Sequence, residues 1–524
     1  MIDMEMKMQP VKKAKKGILN LIFSRIFVLI TLVVVQLIAI GVTITLLQDY
    51  ATYIHAGFLA LSVVVVIRII NSKGNSAFKI TWMLLIMVTP ILGTAFYGFM
   101  RMQLGTASLK KRLLNLNKRT KPHMMQSKTV LEELRVSKAA NANLATYMTN
   151  QISFPVHKNT TVKYFASGEE KFEEMKIQLR KAESYIFLEY FIVEKGVMWN
   201  EILDILKEKV WEGVDVRFMY DGMCSLYAIP ADYDKEIRKS GIKCKQFNRV
   251  RPMLTSYQNN RDHRKICVID GKVAFTGGIN LADEYINAKE RFGHWKDTAI
   301  MLEGEAVQSF TMMFLEMWNI TERREECYER YLTRKSNEMK RELGFVLPYA
   351  DSPFDSQNVG EQVYLHILNH AKKYVHIMTP YLIVDDDMLS TLEYVAQCDV
   401  EVIIIMPHIP DKWYAFAVAR TYYERLIKAG VRIYEYTPGF VHAKVFVSDN
   451  DTATVGTINL DYRSLYHHFE CGAFIYNNPV VWDIERDFQE TLKKCHRMTL
   501  EDIKRRKWYE KLSGRILRLI APLM

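Results

Sequence analysis

The residue types that could act on a phosphorus centre are concentrated in two short stretches. In His442-Ala-Lys-Val-Phe-Val-Ser-Asp449, Ala443, Val445 and Val447 alternate with His442, Lys444 and Phe446. That alternation predicts a β-strand, on which residues two apart share a face. His442 and Lys444 would then stand side by side. Neutral imidazole is a nucleophile near physiological pH, and an ammonium group supplies point charge for phosphoryl oxygens. The same H-x-K-x4-D spacing recurs in His263-Arg-Lys265-Ile-Cys-Val-Ile-Asp270. Gly277-Gly-Ile-Asn280 follows the first copy and Gly456-Thr-Ile-Asn459 the second, with 17 positions from His to Asn in both. Phosphodiester exchange needs a nucleophile, an acid for the leaving alcohol and fixed positive charge. Two histidines, two lysines and two asparagines supply that set without a metal, so neither a metal nor a cofactor is expected. No His/Cys/Asp cluster has ligand spacing.

The elements that position these residues also repeat. Lys181-Ala-Glu-Ser-Tyr-Ile-Phe-Leu188 echoes His370-Ala-Lys-Lys-Tyr-Val-His-Ile377, each a helix end entering a strand. Lys239-Ser-Gly-Ile-Lys243 echoes Lys428-Ala-Gly-Val-Arg432. Internal repetition of this size implies two similar α/β modules, with mixed sheets flanked by helices. The expected boundaries are 151–335 and 345–498, joined by a linker around 335–353. Asp297 and Glu470 each immediately precede a new apolar strand, and read as carboxylates that orient an imidazole, with that of the opposite module expected. Asp270 and Asp449 lie an odd number of residues from their lysines, which aims them away from a phosphate. A structural role is expected for both.

These motifs resemble the phospholipase D superfamily, and their surroundings resemble its bacterial cardiolipin synthases. The similar text includes Arg261-Asp-His-Arg-Lys-Ile266, Gly277-Gly-Ile-Asn-Leu-Ala-Asp-Glu-Tyr285, His294-Trp-Lys-Asp297, Thr379-Pro-Tyr381 and Gly439-Phe-Val-His-Ala-Lys444. It ends with Gly456-Thr-Ile-Asn-Leu-Asp-Tyr-Arg-Ser464. The resemblance implies two phospholipase D-like modules facing each other across a pseudo-two-fold axis, with both motifs in one cleft. It implies His263 as nucleophile, His442 as general acid and base, and Lys265, Lys444, Asn280 and Asn459 on the non-bridging oxygens. The implied reaction joins two phosphatidylglycerol molecules into cardiolipin, releasing glycerol through a phosphohistidine. The same chemistry with water or another alcohol would make a phospholipase D or a different phosphatidyltransferase; a nuclease is the remote alternative. Two residues depart from the family pattern: Asp262 stands where Asn is usual, and His468 where Asn usually precedes Phe. An extra carboxylate at Asp262 would raise the pKa of His263.

A chain of 524 residues has room for two or three domains, and its net charge of +11 suggests an anionic partner. Basic residues flank apolar segments and no nucleic-acid motif appears, so anionic membrane lipid is expected and nucleic acid is not. Seven cysteines without a C-x-x-C pair argue against a zinc site or disulfide framework. Residues 1–100 read as a multi-pass cell-membrane region with apolar runs at about 26–48, 51–70 and 80–100, an N-terminal transmembrane helical region. His55 and Arg68 interrupt the second run. Pro90 interrupts the third, which would be either a span or a re-entrant segment. Residues 101–150 read as a basic helical linker, and 499–524 as a basic amphipathic helix starting at Thr499. The sequence leaves the oligomeric state open.

Overall fold

In a computed structural model, the described residues are 34, 37, 38, 41, 50–101, 106–250, 259–322, 326–332, 342–355 and 357–523. The chain forms two compact units: one is Met1–Leu104 with Arg251–Tyr257 and Leu519–Met524, the other Gly105–Val250 with Gln258–Arg518.

In the first unit the apolar run expected at 26–48 falls almost wholly outside the described residues. The run at 51–70 coincides with the helix Ala51–Ile70. The run expected at 80–100 is broken into Ser76–Val88 and Pro90–Arg101. Proline lacks an N–H and restricts the residue before it, so the helix stops at Thr89. The chain then folds back, bringing Trp82 to 5.7 Å from Phe96 and 5.3 Å from Tyr97, ring centre to ring centre. At 13 and 12 residues these helices reach about 20 Å each, short of a bilayer core. Among the described residues no helix is long and apolar enough to cross a membrane.

The second unit holds the repeat. Its first module contains β1 (Thr160–Phe165), β2 (Tyr185–Tyr190), β3 (Asp215–Asp221), β4 (Lys243–Phe247), β5 (Lys265–Ile269), β6 (Val273–Gly277), β7 (His294–Lys296) and β8 (Ala299–Gly304). Seven of these form a mixed sheet in the order β1-β8-β6-β5-β2-β3-β4. The second module contains β9 (Phe345–Asp351), β10 (Tyr374–Met378), β11 (Leu382–Ile383), β12 (Glu401–Pro407), β13 (Arg432–Tyr436) and β14 (Gly439–Val441). It continues with β15 (Val445–Ser448), β16 (Thr452–Gly456), β17 (Leu460–Asp461), β18 (Glu470–Tyr476) and β19 (Cys495–Arg497). Its sheet runs β9-β18-β16-β15-β10-β12-β13, the same order strand for strand, with β19 added at the edge. In both, the motif strand is paired antiparallel with its two neighbours; β2-β3-β4 and β10-β12-β13 on one side run parallel, and the strands on the other side pair antiparallel.

The two sheets share a core. Phe187, Ile266, Val268 and Leu302 of one pack with Ile405, Val445, Val447 and Ala473 of the other, around the almost wholly buried helix Val307–Asn319. Burial on both faces explains the continuous aliphatic runs of β5 and β15. The stretch expected at 101–150 as a basic helical linker carries the helices Thr106–Thr120, Lys128–Ser137 and Ala139–Ile152, whose Leu113, Leu116, Leu134 and Met148 are buried. At the other end, Thr499 and Asp502 form a capping box opening the helix Leu500–Arg505. The next helix, Trp508–Ile520, sets Gly514 against Ala417 and leaves Trp508, Leu512 and Ile516 exposed.

Candidate active site

Each motif histidine sits just ahead of its strand, because β5 begins at Lys265 and β15 at Val445. What holds each histidine is the opposite module. The His263 backbone N–H donates to the Phe469 carbonyl at 2.9 Å, and His442 N–H donates to the Lys296 carbonyl at 2.7 Å. The residue following each carbonyl supplies a carboxylate to the same imidazole. Glu470 lies 2.9 Å from His263 Nδ1, and Asp297 Oδ2 lies 2.6 Å from His442 Nδ1. Both carboxylates are fully buried. With Nδ1 engaged in each ring, Nε2 is the nitrogen left for chemistry.

Lys265 and Lys444 are buried, and each Nζ donates to the backbone carbonyl of the histidine two residues before it. Burial pulls the Lys265 ammonium down to about 8 and that of Lys444 down to about 7, with Asp297 and Glu470 opposing. Burial, with Lys265 next, pushes the His263 imidazole well below its ordinary value. Burial likewise takes His442 to about 4, opposed by Asp297. Both imidazoles are therefore neutral at rest. The Asp297 carboxyl stays below the ordinary carboxylate range despite its burial, because His442 and Lys444 attract its charge. Burial pushes the Glu470 carboxyl up, while Lys265 and the Thr457 hydroxyl pull it back.

Asp270 and Asp449 work away from the imidazoles. Asp270 accepts from the backbone N–H groups of Glu183, Ser184 and Tyr185, each at 2.8 Å. Asp449 accepts from Lys372, Lys373 and Tyr374 at 2.7, 2.9 and 3.1 Å. Both have φ of +53°, followed by a second left-handed residue, Gly271 or Asn450, in the tight turn to the next strand. A short acid is suited to that place: it tolerates positive φ and reaches neighbouring amides. Asn280 is bound within its own module, accepting from Ile192 N–H at 3.0 Å and donating to the Tyr285 hydroxyl at 2.7 Å. Its second amide N–H has no partner among the described residues. Asn459 Oδ1 is buried without a partner among the described residues.

Asp262 does not face the imidazole of His263. Its carboxylate takes the Arg264 N–H at 3.3 Å and lies against Glu189 and Arg264, so the rise expected for His263 is replaced by the fall above. Several residues were not visible as site residues from spacing. Trp295, Tyr285 and Phe440 enclose the His442 ring at 5.3, 5.5 and 5.9 Å. Thr457 donates its hydroxyl to Glu470 Oε2. Gly278, at the equivalent position of the first copy, leaves room for Asp297, since a Cβ there would lie 2.0 Å from Asp297 Oδ1. The Gly-Gly against Gly-Thr difference between the repeats was the available signal.

A family model described as a cardiolipin synthase, phospholipase D-like domain matches residues 175–318 and 364–492. A phospholipase D-nuclease N-terminal model matches residues 60–101. The chain is 52% identical over 459 residues, 88% of its length and 99% of the relative's, to an uncharacterized protein of Streptococcus mutans serotype c. It is 33% identical to a cardiolipin synthase of Halalkalibacterium halodurans, covering 85% of this chain and 88% of that one. Among solved structures it has the fold of a phosphatidylserine synthase of Haemophilus influenzae, at TM-score 0.56 and 16% identity, covering 74% of this chain and 97% of that one.

Proposed function

The chain belongs to the cardiolipin synthases of the phospholipase D superfamily, phosphatidyltransferases, and from that membership we propose how its own residues divide the reaction. His263 attacks the phosphorus of one phosphatidylglycerol through Nε2, forming a phosphohistidine. His442 gives its proton to the departing glycerol oxygen. A second phosphatidylglycerol then enters; His442 takes the proton from its glycerol hydroxyl, the new alkoxide attacks phosphorus, and the phosphohistidine bond breaks to give cardiolipin. Lys265 and Lys444, with the free N–H of Asn280 and the amide of Asn459, bind the non-bridging oxygens. Asp270 and Asp449 hold the strand ends in register.

The observation that carries this reading is the exchange of carboxylates between modules, Glu470 on His263 and Asp297 on His442. A carboxylate on Nδ1 fixes the tautomer and orientation of an imidazole that must gain or lose charge at Nε2. His442 is neutral in the empty site, with its pKa near 4. A bound phosphodiester adds negative charge beside it and favours the protonated form that a general acid requires.

The substrates are membrane lipids, and the first unit suits contact with them. Leu59, Val63, Val64, Ile67 and Ile70 lie exposed along the helix Ala51–Ile70, which supports burial in lipid. The apolar run at 26–48 would supply a span, and the Thr89–Pro90 break supports a re-entrant reading of the run at 80–100. Anchoring of this kind holds the cleft at the lipid surface and raises the local substrate concentration.

Expression in a bacterium lacking cardiolipin, followed by mass spectrometry of its lipids, tests the assignment. Cardiolipin is expected with the native chain and none with His263→Asn. Phosphatidic acid or another phosphatidyl alcohol in place of cardiolipin would move the chain to a hydrolase or a different transferase.

A further inference from the structure

The two half-sites differ at one position in a way the reaction above does not use. Two residues before each orienting carboxylate stands a side chain that packs on the motif imidazole. Beside His442 it is Trp295, an indole. Beside His263 it is His468, whose ring centre lies 5.5 Å away. Trp295 contributes apolar area and one N–H; His468 contributes a second metal-binding nitrogen donor at the nucleophile. It is 8% exposed, and neither ring nitrogen has a hydrogen-bond partner among the described residues. A buried imidazole with both nitrogens unsatisfied is costly unless something else occupies them.

From this arrangement we propose that His263, His468 and Glu470 form an inhibitory site for a zinc-like divalent cation, bound to the ring that carries the nucleophilic Nε2. The donor atoms of all three lie within 4.8 Å of one another. Glu470 lies 2.9 Å from His263 Nδ1 and its Oε1 lies 3.7 Å from His468 Nδ1. Tetrahedral zinc with bonds of about 2.0–2.1 Å wants donors about 3.3 Å apart, and those two separations bracket that value. Two imidazoles and one carboxylate with a fourth position open form a donor set that zinc accepts. Zinc on His263 Nδ1 replaces the Glu470 contact that orients the ring, and by drawing electron density from the imidazole it weakens Nε2 as a nucleophile. The reaction itself has no need of the metal. Lys265 and Lys444 oppose a cation here, so the affinity is that of a regulatory or adventitiously filled site rather than a structural one.

The test uses the full-length chain in detergent micelles, stripped with a chelator and dialysed against zinc chloride. The native protein is expected to retain one zinc per chain, and cardiolipin formation to fall with the same midpoint and return on chelation. His468→Asn and His468→Gln are expected to keep cardiolipin formation while moving both midpoints upward by about 10–100-fold, the effect of weakening a zinc site. Glu470→Gln, read by dialysis alone, is expected to lose the bound metal. Cobalt in the unmodified protein reports the same site through its visible absorption, so the assignment does not depend on any variant folding. Absence of stoichiometric metal, or inhibition unchanged in both His468 variants, would overturn the proposal. Metal retention is read independently of the lipid product, so this proposal and the assigned reaction fail separately.

Discussion

Asp297 Oδ2 and His442 Nδ1 lie 2.6 Å apart although 145 residues separate them in the chain, and each comes from a different copy of the repeat. Glu470 and His263 complete the reciprocal pair across 207 residues. Neither module holds a complete imidazole–carboxylate pair. Each brings an imidazole on one segment and, on another, the carboxylate that the partner imidazole needs. That exchange also links the two sheets, since the same segments carry the backbone bonds from His263 to Phe469 and from His442 to Lys296.

The division of roles between the histidines is open to a direct kinetic test. His263→Asn and His442→Asn are each expected to abolish cardiolipin formation while leaving the protein in the membrane fraction. They should part company with a phosphatidyl ester of a nitrophenol, whose departure needs no proton. There His442→Asn still releases one equivalent of the phenol, and His263→Asn releases none. The opposite pattern would exchange the roles of the two rings.

Asp297→Asn is expected to lower kcat by about 10²–10⁴-fold, the usual range for losing the group that supports a catalytic imidazole. Its pH profile distinguishes that role from a structural one. Asp297 raises the His442 pKa against the downward push of burial. Removing it lowers that pKa further, so the alkaline limb of kcat/KM, where the general acid is lost, moves to lower pH. An unmoved limb would mean that Asp297 does not act on His442.

Gly278→Ala tests the same contact without touching a charged group. The added methyl would lie 2.0 Å from Asp297 Oδ1, with a fully buried side chain as the obstacle. We expect activity to fall toward the Asp297→Asn level, with a loss of about 1–3 kcal/mol in stability from the overpacked site. The matching position in the other half is Thr457, whose hydroxyl donates to Glu470. Thr457→Val should cost several-fold in kcat, as expected for losing a buried hydrogen bond of about 1 kcal/mol that positions Glu470 on His263.

Asp270 and Asp449 should register in stability before activity. Asp270→Ala and Asp449→Ala each lose three amide acceptors and place alanine at a φ of +53°. A cost of about 2 kcal/mol or more in thermal unfolding is expected. Asn at either position tolerates the backbone and should lose less. Activity of the surviving folded enzyme should stay near native at low temperature; an equal loss in kcat would place these carboxylates in the chemistry.

The amino-acid sequence alone determined the repeat, the two H-x-K-x4-D motifs, the mixed α/β modules and the residues that could attack and protonate a phosphodiester. These are local properties: spacing, alternation and turn chemistry act over a few residues, and a duplicated chain writes them twice. It also marked Asp297 and Glu470 by their places before apolar strands. Only the tertiary structure decided which imidazole each carboxylate holds, because that depends on how two sheets meet across a common core. The same holds for Asp262, which turns to Arg264 and Glu189 rather than to the histidine beside it in sequence. The apolar run around Pro90, which the sequence left as either a span or a re-entrant segment, is broken at Thr89, and the packing of Trp82 on Phe96 is what only the fold shows. His468 shows the limit most plainly: one residue in a familiar motif comes to lie 5.5 Å from the His263 ring only when residues 205 positions apart are folded onto one another.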